Sequence, residues 1–222
     1  MKLKERWTSI NWFEKLVEIL VVVIGITLAF VVDRSYESYK NQLALRQYLS
    51  SLHEDIQTDI RMADSLLQDL NAQNKKLNQF VRYLTRSQHE SDSILFYIQS
   101  ISRLTVFEMR QTTFKSMQSS GQINLIPDFQ LRRDLFNYYH QSQGIQVFQK
   151  VMTDYFNRHI VPILLNKLDL QNEKILDPQY FNRPVFRNIV LSFSGLLNQQ
   201  VRLYRTVLRK AQNLQTKITQ NG

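Results

Sequence analysis

An uncharged apolar segment near the start of the chain constrains its folding more than any other feature. Residues 19–32 read ILVVVIGITLAFVV, and only Gly25 and Thr27 interrupt the aliphatic and aromatic side chains. Counted from Leu16, the run covers roughly 25 Å of helix, close to the ~30 Å hydrocarbon core of a bilayer. Aromatic residues, which favour membrane interfaces, lie on both sides of it: Trp7, Trp12, Phe13, Tyr36 and Tyr39. The sequence therefore predicts a transmembrane helix over residues 13–32.

Two other structures carry a comparable apolar run. A cleaved signal peptide does, but residues 27–33 (TLAFVVD) lack small residues at both positions before a cut. A buried core helix usually has one polar face, and this run has none for nearly four turns. An uncleaved span is the favoured interpretation.

Basic residues on the two sides of the run suggest its orientation. Four precede it (Lys2, Lys4, Arg6, Lys15), and three follow within a comparable distance (Arg34, Lys40, Arg46). Because basic residues are enriched on the cytoplasmic side, we expect residues 1–12 to be a short basic cytoplasmic N-terminus. Residues 33–222 are then expected to be extracytoplasmic. In a bacterium with two membranes this means a single-pass inner-membrane protein with a periplasmic domain. The absence of cysteine excludes disulfides and thiol chemistry.

Residues 33–222 are predicted to form one all-α domain. Only four glycines and four prolines follow residue 33, far fewer than a sheet-rich domain of this length needs for its turns. An apolar stripe at helical spacing runs along the first part: Leu49, Leu52, Ile56, Ala63, Leu66, Leu70, Leu77, Phe80 and Leu84. Asp59 and Gln73 occupy the intervening stripe positions. The predicted fold is a transmembrane helix that continues into an elongated antiparallel helical bundle, favoured over a parallel coiled coil.

The rest of the chain is predicted to contain shorter helices and one long final helix. Residues 87–93 form a polar break. After it we expect a helix over 94–109 and a short helix over 112–120 that Gly121 ends. Asp128 is expected to start the next helix, which continues over 147–168 with a kink at Pro162. A loop over 177–184 and a final helix over 185–219 follow. The final stripe comprises Leu197, Val201, Tyr204, Leu208, Ala211 and Ile218.

Charge is distributed unevenly along the domain. The first helix is acidic (Glu54, Asp55, Asp59, Asp64, Asp69), whereas no acid follows Asp177. Arg202, Arg205 and Arg209 share one face of the final helix. Three interpretations stay open: pairing of the first and last helices, attraction to anionic lipid headgroups, or binding of an acidic partner. Nucleic acid is not expected, because no groove-reading motif is present.

No catalytic or cofactor motif occurs in the sequence. The phosphate-binding glycine loops, the GxSxG elbow and HExxH are absent, and the four histidines (His53, His89, His140, His159) are scattered. Tyr138 and Tyr139 are interpreted as core residues with a polar edge. Ser119 and Ser120 lie near a turn without a marked base. We therefore predict no enzyme activity, catalytic residue, cofactor or metal.

Three residues of the span are candidates for contact with another membrane helix. Glu18 is an acid within the apolar run, which makes it a candidate functional group by default. An i,i+3 contact with Lys15 and snorkelling to the interface give the favoured structural explanation. Gly25 and Ala29 form a small-xxx-small pair that allows close helix approach.

Several segments resemble a family of uncharacterised bacterial single-pass membrane proteins, catalogued as a domain of unknown function. Residues 18–29 (EILVVVIGITLA) resemble the family's EI-x-LVVIGI-x-LA span, and residues 48–56 (YLSSLHEDI) resemble its first helix. Residues 112–139 resemble a third family segment, with Met117 in place of the usual leucine. The chain leaves the span through Val32-Asp33-Arg34, where many members have Asn-Asn-Trp. The resemblance implies a membrane location and a helical extramembrane part, with no activity, ligand or site.

These observations favour a membrane-anchored, non-enzymatic scaffold or accessory protein of the bacterial envelope. Its expected partners are the lipid bilayer and either another membrane or envelope protein or a second copy of itself. The alternative is an extracytoplasmic ligand-sensing bundle that acts through a partner membrane protein. An enzyme is the third class, and it requires convergent titratable groups that the sequence does not display.

Overall fold

The computed structural model describes residues 12–85 and 90–221. The described residues are overwhelmingly helical and almost free of strands, so the predicted all-α class is confirmed. Seven α-helices occur there: α1 (Trp12–Tyr83), α2 (Ser91–Ile98), α3 (Thr112–Ser119), α4 (Phe129–Tyr155), α5 (Val161–Asn166), α6 (Pro178–Phe181) and α7 (Pro184–Asn221). A 3₁₀ turn (Gln122–Leu125), a π-helix (Phe156–Ile160) and two strands, β1 (Leu168–Asp169) and β2 (Lys174–Ile175), complete them.

The chain divides into two compact units between Gln47 and Tyr48. Helix α1 contributes to both, and described residues 12–43 of its first part are all exposed. The second unit contains the core, whose first fully buried residue is Leu49. The predicted cytoplasmic segment, residues 1–12, lies outside the described residues except for Trp12.

Three long helices form the frame of the second unit. Asn74 of α1 donates to Asn198 of α7 over 2.7 Å, and Phe80 of α1 meets Phe186 of α7 edge to face. Residue numbers thus rise along α1 as they fall along α7, so the two helices are antiparallel. Helix α4 is also antiparallel to α7, because Gln149 of α4 donates to the Tyr204 hydroxyl while the Tyr155 hydroxyl donates to Ile189. Helices α1 and α4 therefore run in the same direction.

The apolar stripes predicted for α1 and α7 form the core, except that in each helix a neighbouring residue is buried in place of one predicted residue. On α1, Leu66 is half-buried and its neighbour Leu67 is buried instead. On α7, Leu208 is half-buried and Val207 is buried. The other stripe residues are buried, since a 3.6-residue period brings them to one face.

The predicted helix over residues 94–109 is wrong beyond Ile98. Helix α2 ends there, and residues 103–110 belong to no helix or strand and form a strap along α1. Because α1 and α4 are parallel, the chain must return along the bundle before α4 begins. Asp59 and Gln73 of α1 contact Arg110 and Arg103 of the strap. Fourteen helical residues cover about 21 Å and seven extended residues about 23 Å, so the extended strap matches the helix in length.

Amide side chains of the buried Gln200 and the half-buried Gln73 and Gln149 hydrogen-bond the backbone of this strap and of Ser100 before it. Gln73 of α1 donates to the carbonyl oxygens of Ser100 (2.9 Å) and Arg103 (3.1 Å). Gln200 of α7 donates to Thr105 (2.6 Å), and Gln149 of α4 donates to Phe107 (2.8 Å). An extended segment inside a helical bundle has no sheet partner, so side chains from three helices supply the donors its carbonyls need.

Turn chemistry at the ends of the shorter elements agrees with the sequence. Gly121 adopts the left-handed conformation (φ 73°) after α3, and the Asp128 carboxylate accepts from the Gln130 amide at the start of α4. Three features differ from the prediction. The irregularity near Pro162 is a π-helix that precedes it, and a short antiparallel hairpin pairs Leu168 with Ile175. The predicted loop over 177–184 contains the short helix α6, whose first turn the Asp177 carboxylate caps by accepting from the Tyr180 amide. Residues 87–89 of the predicted break over 87–93 lie outside the described residues, and its last three residues already belong to α2, which begins at Ser91.

Candidate functional site

The predicted basic face of α7 is exposed to solvent. Arg202, Arg205 and Arg209 are all exposed, and their guanidinium groups make no ion pair or hydrogen bond with the described residues. Because the chain has no acid after Asp177, α7 cannot neutralise them with its own side chains. We call these three arginines the arginine stripe. It presents three positive charges to solvent along about two turns of helix.

Packing between α1 and α7 does not use the charges that suggested it. Amide and aromatic side chains connect the two helices, as with Asn74 and Asn198. Within residues 12–85 and 90–221, the ion pairs of the bundle lie elsewhere. Lys217 of α7 pairs with Asp134 of α4, Lys167 lies 2.9 Å from Asp177, and Arg103 of the strap lies 4.0 Å from Asp69. The arginine stripe is therefore left for another role.

The apolar part of α1 is not covered by any other part of the chain that the structure describes. In the described residues, α1 is the one helix long and apolar enough to cross a membrane, with a mean hydropathy of 2.6 over its most apolar window and none of that window buried. The Thr27 and Ser35 hydroxyls each donate over 2.7 Å to the carbonyl four residues earlier, in Val23 and Val31. For Thr27, which lies inside the predicted span, such internal bonding is what hydrocarbon requires of a polar group.

The candidate contact residues of the span occupy this uncovered surface. Lys15 Nζ and Glu18 Oε2 are 2.8 Å apart, which confirms the expected i,i+3 contact. Both side chains are about two-thirds exposed, so the pair is worth little to stability. A methyl group added to Gly25 would meet no atom within 4 Å, and Ala29 is exposed. Contact of these residues with another membrane helix stays a prediction.

A buried carboxylate lies in the middle of the second unit. Asp59 is completely buried; it accepts from the Tyr138 hydroxyl at 2.8 Å and from the Arg110 backbone amide at 3.0 Å. Asp55 stands one turn earlier on α1, and its Oδ2 is buried without a hydrogen-bond partner among the described residues. The hydroxyl of Tyr139 is likewise buried and unpaired there. Helix α1, the strap and α4 all meet at this cluster.

Burial dominates the electrostatics of the cluster. It raises the pKa of Asp59 to about 6, although the hydrogen bonds from Arg110 and Tyr138 act in the opposite direction and the charge of Asp55 adds to the increase. Burial also raises the pKa of Tyr138 and Tyr139, with Asp59 contributing to both. The two tyrosines therefore stay protonated, and of these three groups Asp59 is the one that gains or loses its proton near neutral pH.

Only part of this cluster could be predicted from the sequence. Asp59 was recognised as a polar residue within an apolar stripe, and Tyr138 and Tyr139 were interpreted as core, which the structure confirms. Nothing in the sequence linked residues 79 positions apart. The usable signal was that a carboxylate on a buried face requires a donor from a facing helix, and tyrosine beside an apolar stripe supplies one.

The other polar residues considered for chemistry do not converge. His53, His140 and His159 lie on different helices, and His89 lies outside the described residues. No group of three or more possible metal ligands occurs in the described parts of the chain. The Ser119 and Ser120 hydroxyls donate to backbone carbonyls of α3.

Comparison of the chain with protein-family models, curated proteins and solved structures finds no match in any of the three. The family resemblance noted from the sequence stays a prediction.

Proposed function

We propose that this protein is a membrane-anchored interaction protein whose arginine stripe binds an acidic surface on an envelope protein. The observation that carries the proposal is the stripe itself, three exposed guanidinium groups that have no partner within the described residues. Arginine presents a rigid fork of donors that matches carboxylates in two-point geometry, so a row of arginines favours an acidic protein surface.

The anchor is a single-pass helix over residues 13–32 in the bacterial inner membrane, with the N-terminus in the cytoplasm and the second unit in the periplasm. The exposed apolar surface of α1 supports the membrane location. The distribution of basic residues supports the orientation. A reporter enzyme fused after Gly222 tests it: activity confined to a periplasm-specific reporter is expected, and activity confined to a cytoplasm-specific reporter would reverse the orientation.

Crosslinking in native membranes tests the interaction. The expected result is one stoichiometric partner, or a homo-oligomer, whose recovery falls at least tenfold when Arg202, Arg205 and Arg209 are all changed to glutamate, because attractive contacts become repulsive. A matched control changes three other exposed basic residues, Lys115→Glu, Lys150→Glu and Arg158→Glu, for the same change in net charge. Equal loss in both variants would reduce the effect to net charge, and a lone monomer in the wild type would refute the proposal.

The second candidate is the ligand-sensing bundle acting through a partner. A polar groove between α4 and α7 is the observation that favours it. A small molecule that stabilises the monomer without any crosslinked partner would favour sensing over a scaffold role.

A further inference from the structure

A groove runs between α4 and α7 on the second unit. Its volume is about 810 Å³, which is within the range of small-molecule sites. The buried side chains of Tyr138 and Leu214 contribute to its lining, and polar residues of both helices make up most of the rest. The groove therefore combines an apolar base with polar walls.

The charges in the groove are mainly positive. Lys210 and Lys217 of α7 contribute two ammonium groups, and His140 of α4 adds an imidazole. Among the described residues that line it, Asp134 is the one acid, and it is already engaged by Lys217 and by Gln130 over 2.9 Å. Burial alone would raise the pKa of Asp134, but these hydrogen bonds lower it overall. The carboxylate thus stays charged and occupied.

Hydrogen-bond donors in the groove exceed the acceptors that use them. The ammonium group of Lys210 and the amide of Asn213 make no hydrogen bond or ion pair with any described residue. Gln141 also lines the groove, and its Nε2 is buried without a partner in the described chain. A buried donor without an acceptor is unfavourable, so an occupant rich in acceptor atoms would be stabilised there.

We propose that this groove binds a small organic anion through a carboxylate or phosphate group. Lys210 provides the charge that attracts the anion, and Asn213 and Gln141 provide neutral donors. The face of the occupant opposite its charged group rests against Tyr138 and Leu214. The groove contains no residue of the arginine stripe, so the anion site and the proposed binding of an acidic protein surface can be tested independently.

Titration of the full-length protein in phosphatidylcholine nanodiscs tests the site, with citrate and inorganic phosphate as probes at constant ionic strength. Saturable binding of at least one probe is expected. Lys210→Ala should weaken it about tenfold or more, since a charge-assisted contact is lost. Lys150→Ala, an exposed lysine of α4 outside the groove, should leave it unchanged. The proposal is overturned if neither probe saturates or if both variants weaken binding equally.

The two probes and a change of lipid identify the source of the anion. Binding of citrate alone assigns carboxylates, and binding of phosphate alone assigns phosphate groups. Nanodiscs of phosphatidylglycerol form the second arm. If a lipid headgroup is the natural occupant, the wild type should lose apparent probe affinity there, whereas an unchanged affinity assigns the groove to a free anion.

Discussion

Helix α1 places its polar groups in two different environments along one continuous helix. Up to Gln47, the Thr27 and Ser35 hydroxyls bond to carbonyl groups of their own helix, four residues back. From Tyr48 onward, the polar side chains of the buried face bond to distant parts of the chain, as Asp59 does with Tyr138 and Gln73 with Ser100.

The difference follows the burial of the helix face, because the exposed Thr216 and Thr219 hydroxyls of α7 also donate to carbonyls four residues back. A helix in hydrocarbon has no water or distant backbone to rely on, so local bonds are the available solution. A helix in a bundle can use partners from other helices, and those long-range bonds then fix which segments lie together. Four changes test this comparison, in order of decreasing expected effect.

Placing charges in the apolar part of α1 should have the largest effect. The double change Val23→Asp and Ile26→Asp costs about 3 kcal/mol per carboxylate near the middle of a span, so the protein should move from alkaline carbonate-resistant membranes to the soluble fraction. As a control, Val151→Asp and Leu191→Asp alter exposed apolar residues of the second unit and should leave the fractionation unchanged. A wild-type protein recovered in the soluble fraction would disprove the anchor.

A charge on the buried face of α1 should unfold the second unit without releasing the protein from the membrane. Leu70 is completely buried, so Leu70→Asp should lower the free energy of unfolding by about 4 kcal/mol or more, measured by urea denaturation followed by circular dichroism. Leu66→Asp is the matched control, because Leu66 is only half-buried and should lose much less. Equal losses would mean that the burial of the two leucines is wrongly assigned.

Two neighbouring tyrosines allow a hydrogen-bonded hydroxyl to be compared with one that has no hydrogen-bond partner among the described residues. Tyr138→Phe removes the donor to the buried Asp59 carboxylate and should destabilise the second unit by about 2 kcal/mol. Tyr139→Phe removes a buried hydroxyl that has no partner among the described residues, so its effect should be near zero or slightly stabilising. Urea midpoints of both variants at pH 7 provide the measurement, and a larger loss for Tyr139→Phe would contradict the geometry.

The pH dependence of stability should contain a contribution from Asp59. Its folded-state pKa of about 6 exceeds the ordinary aspartate pKa of 3.8, so between these pH values the folded state holds a proton that the unfolded state has released. This contribution is fully present below pH 3.8 and is lost as the pH rises through about 6. The increase in pKa corresponds to about 3 kcal/mol.

Comparison with Asp59→Asn isolates that contribution. Asp134, Asp169 and Asp177 have lowered pKa values, so they act in the opposite sense in both proteins and cancel in the difference. Between pH 7 and pH 4 the wild type should gain stability relative to the variant. A difference that does not change with pH would show that Asp59 does not titrate in this range.

Features of this protein that depend on short-range interactions were predictable from its sequence, and those that depend on long-range interactions were not. The Asp128 cap and the left-handed Gly121 were predictable because each depends on a few neighbouring residues. The stripes of α1 and α7 were predictable to within one residue, since a helical period places the buried side chains, although it cannot choose between Leu66 and Leu67 at the edge of the face.

The strap shows where pattern reading failed despite an available signal. From Val106 to Arg110 the side chains alternate between exposed and buried, with Phe107 and Met109 inside. That period of two is typical of extended chain, but the helical spacing of Ile94, Ile98 and Ile101 was extended across it. The extended conformation also depends on donors from Gln73, Gln149 and Gln200, which lie far away in sequence.

The sequence by itself determined the apolar segment, the helical class and the faces of the two longest helices, because these depend on composition and on periodicity within single segments. Tertiary structure alone decided that α1 and α4 run in parallel, and therefore that an extended strap returns along the bundle. It also decided that Asp59 meets Tyr138 and that the arginine stripe stays without a partner in the described chain. These outcomes require side chains from separate helices to meet, and no local pattern specifies which segments become neighbours.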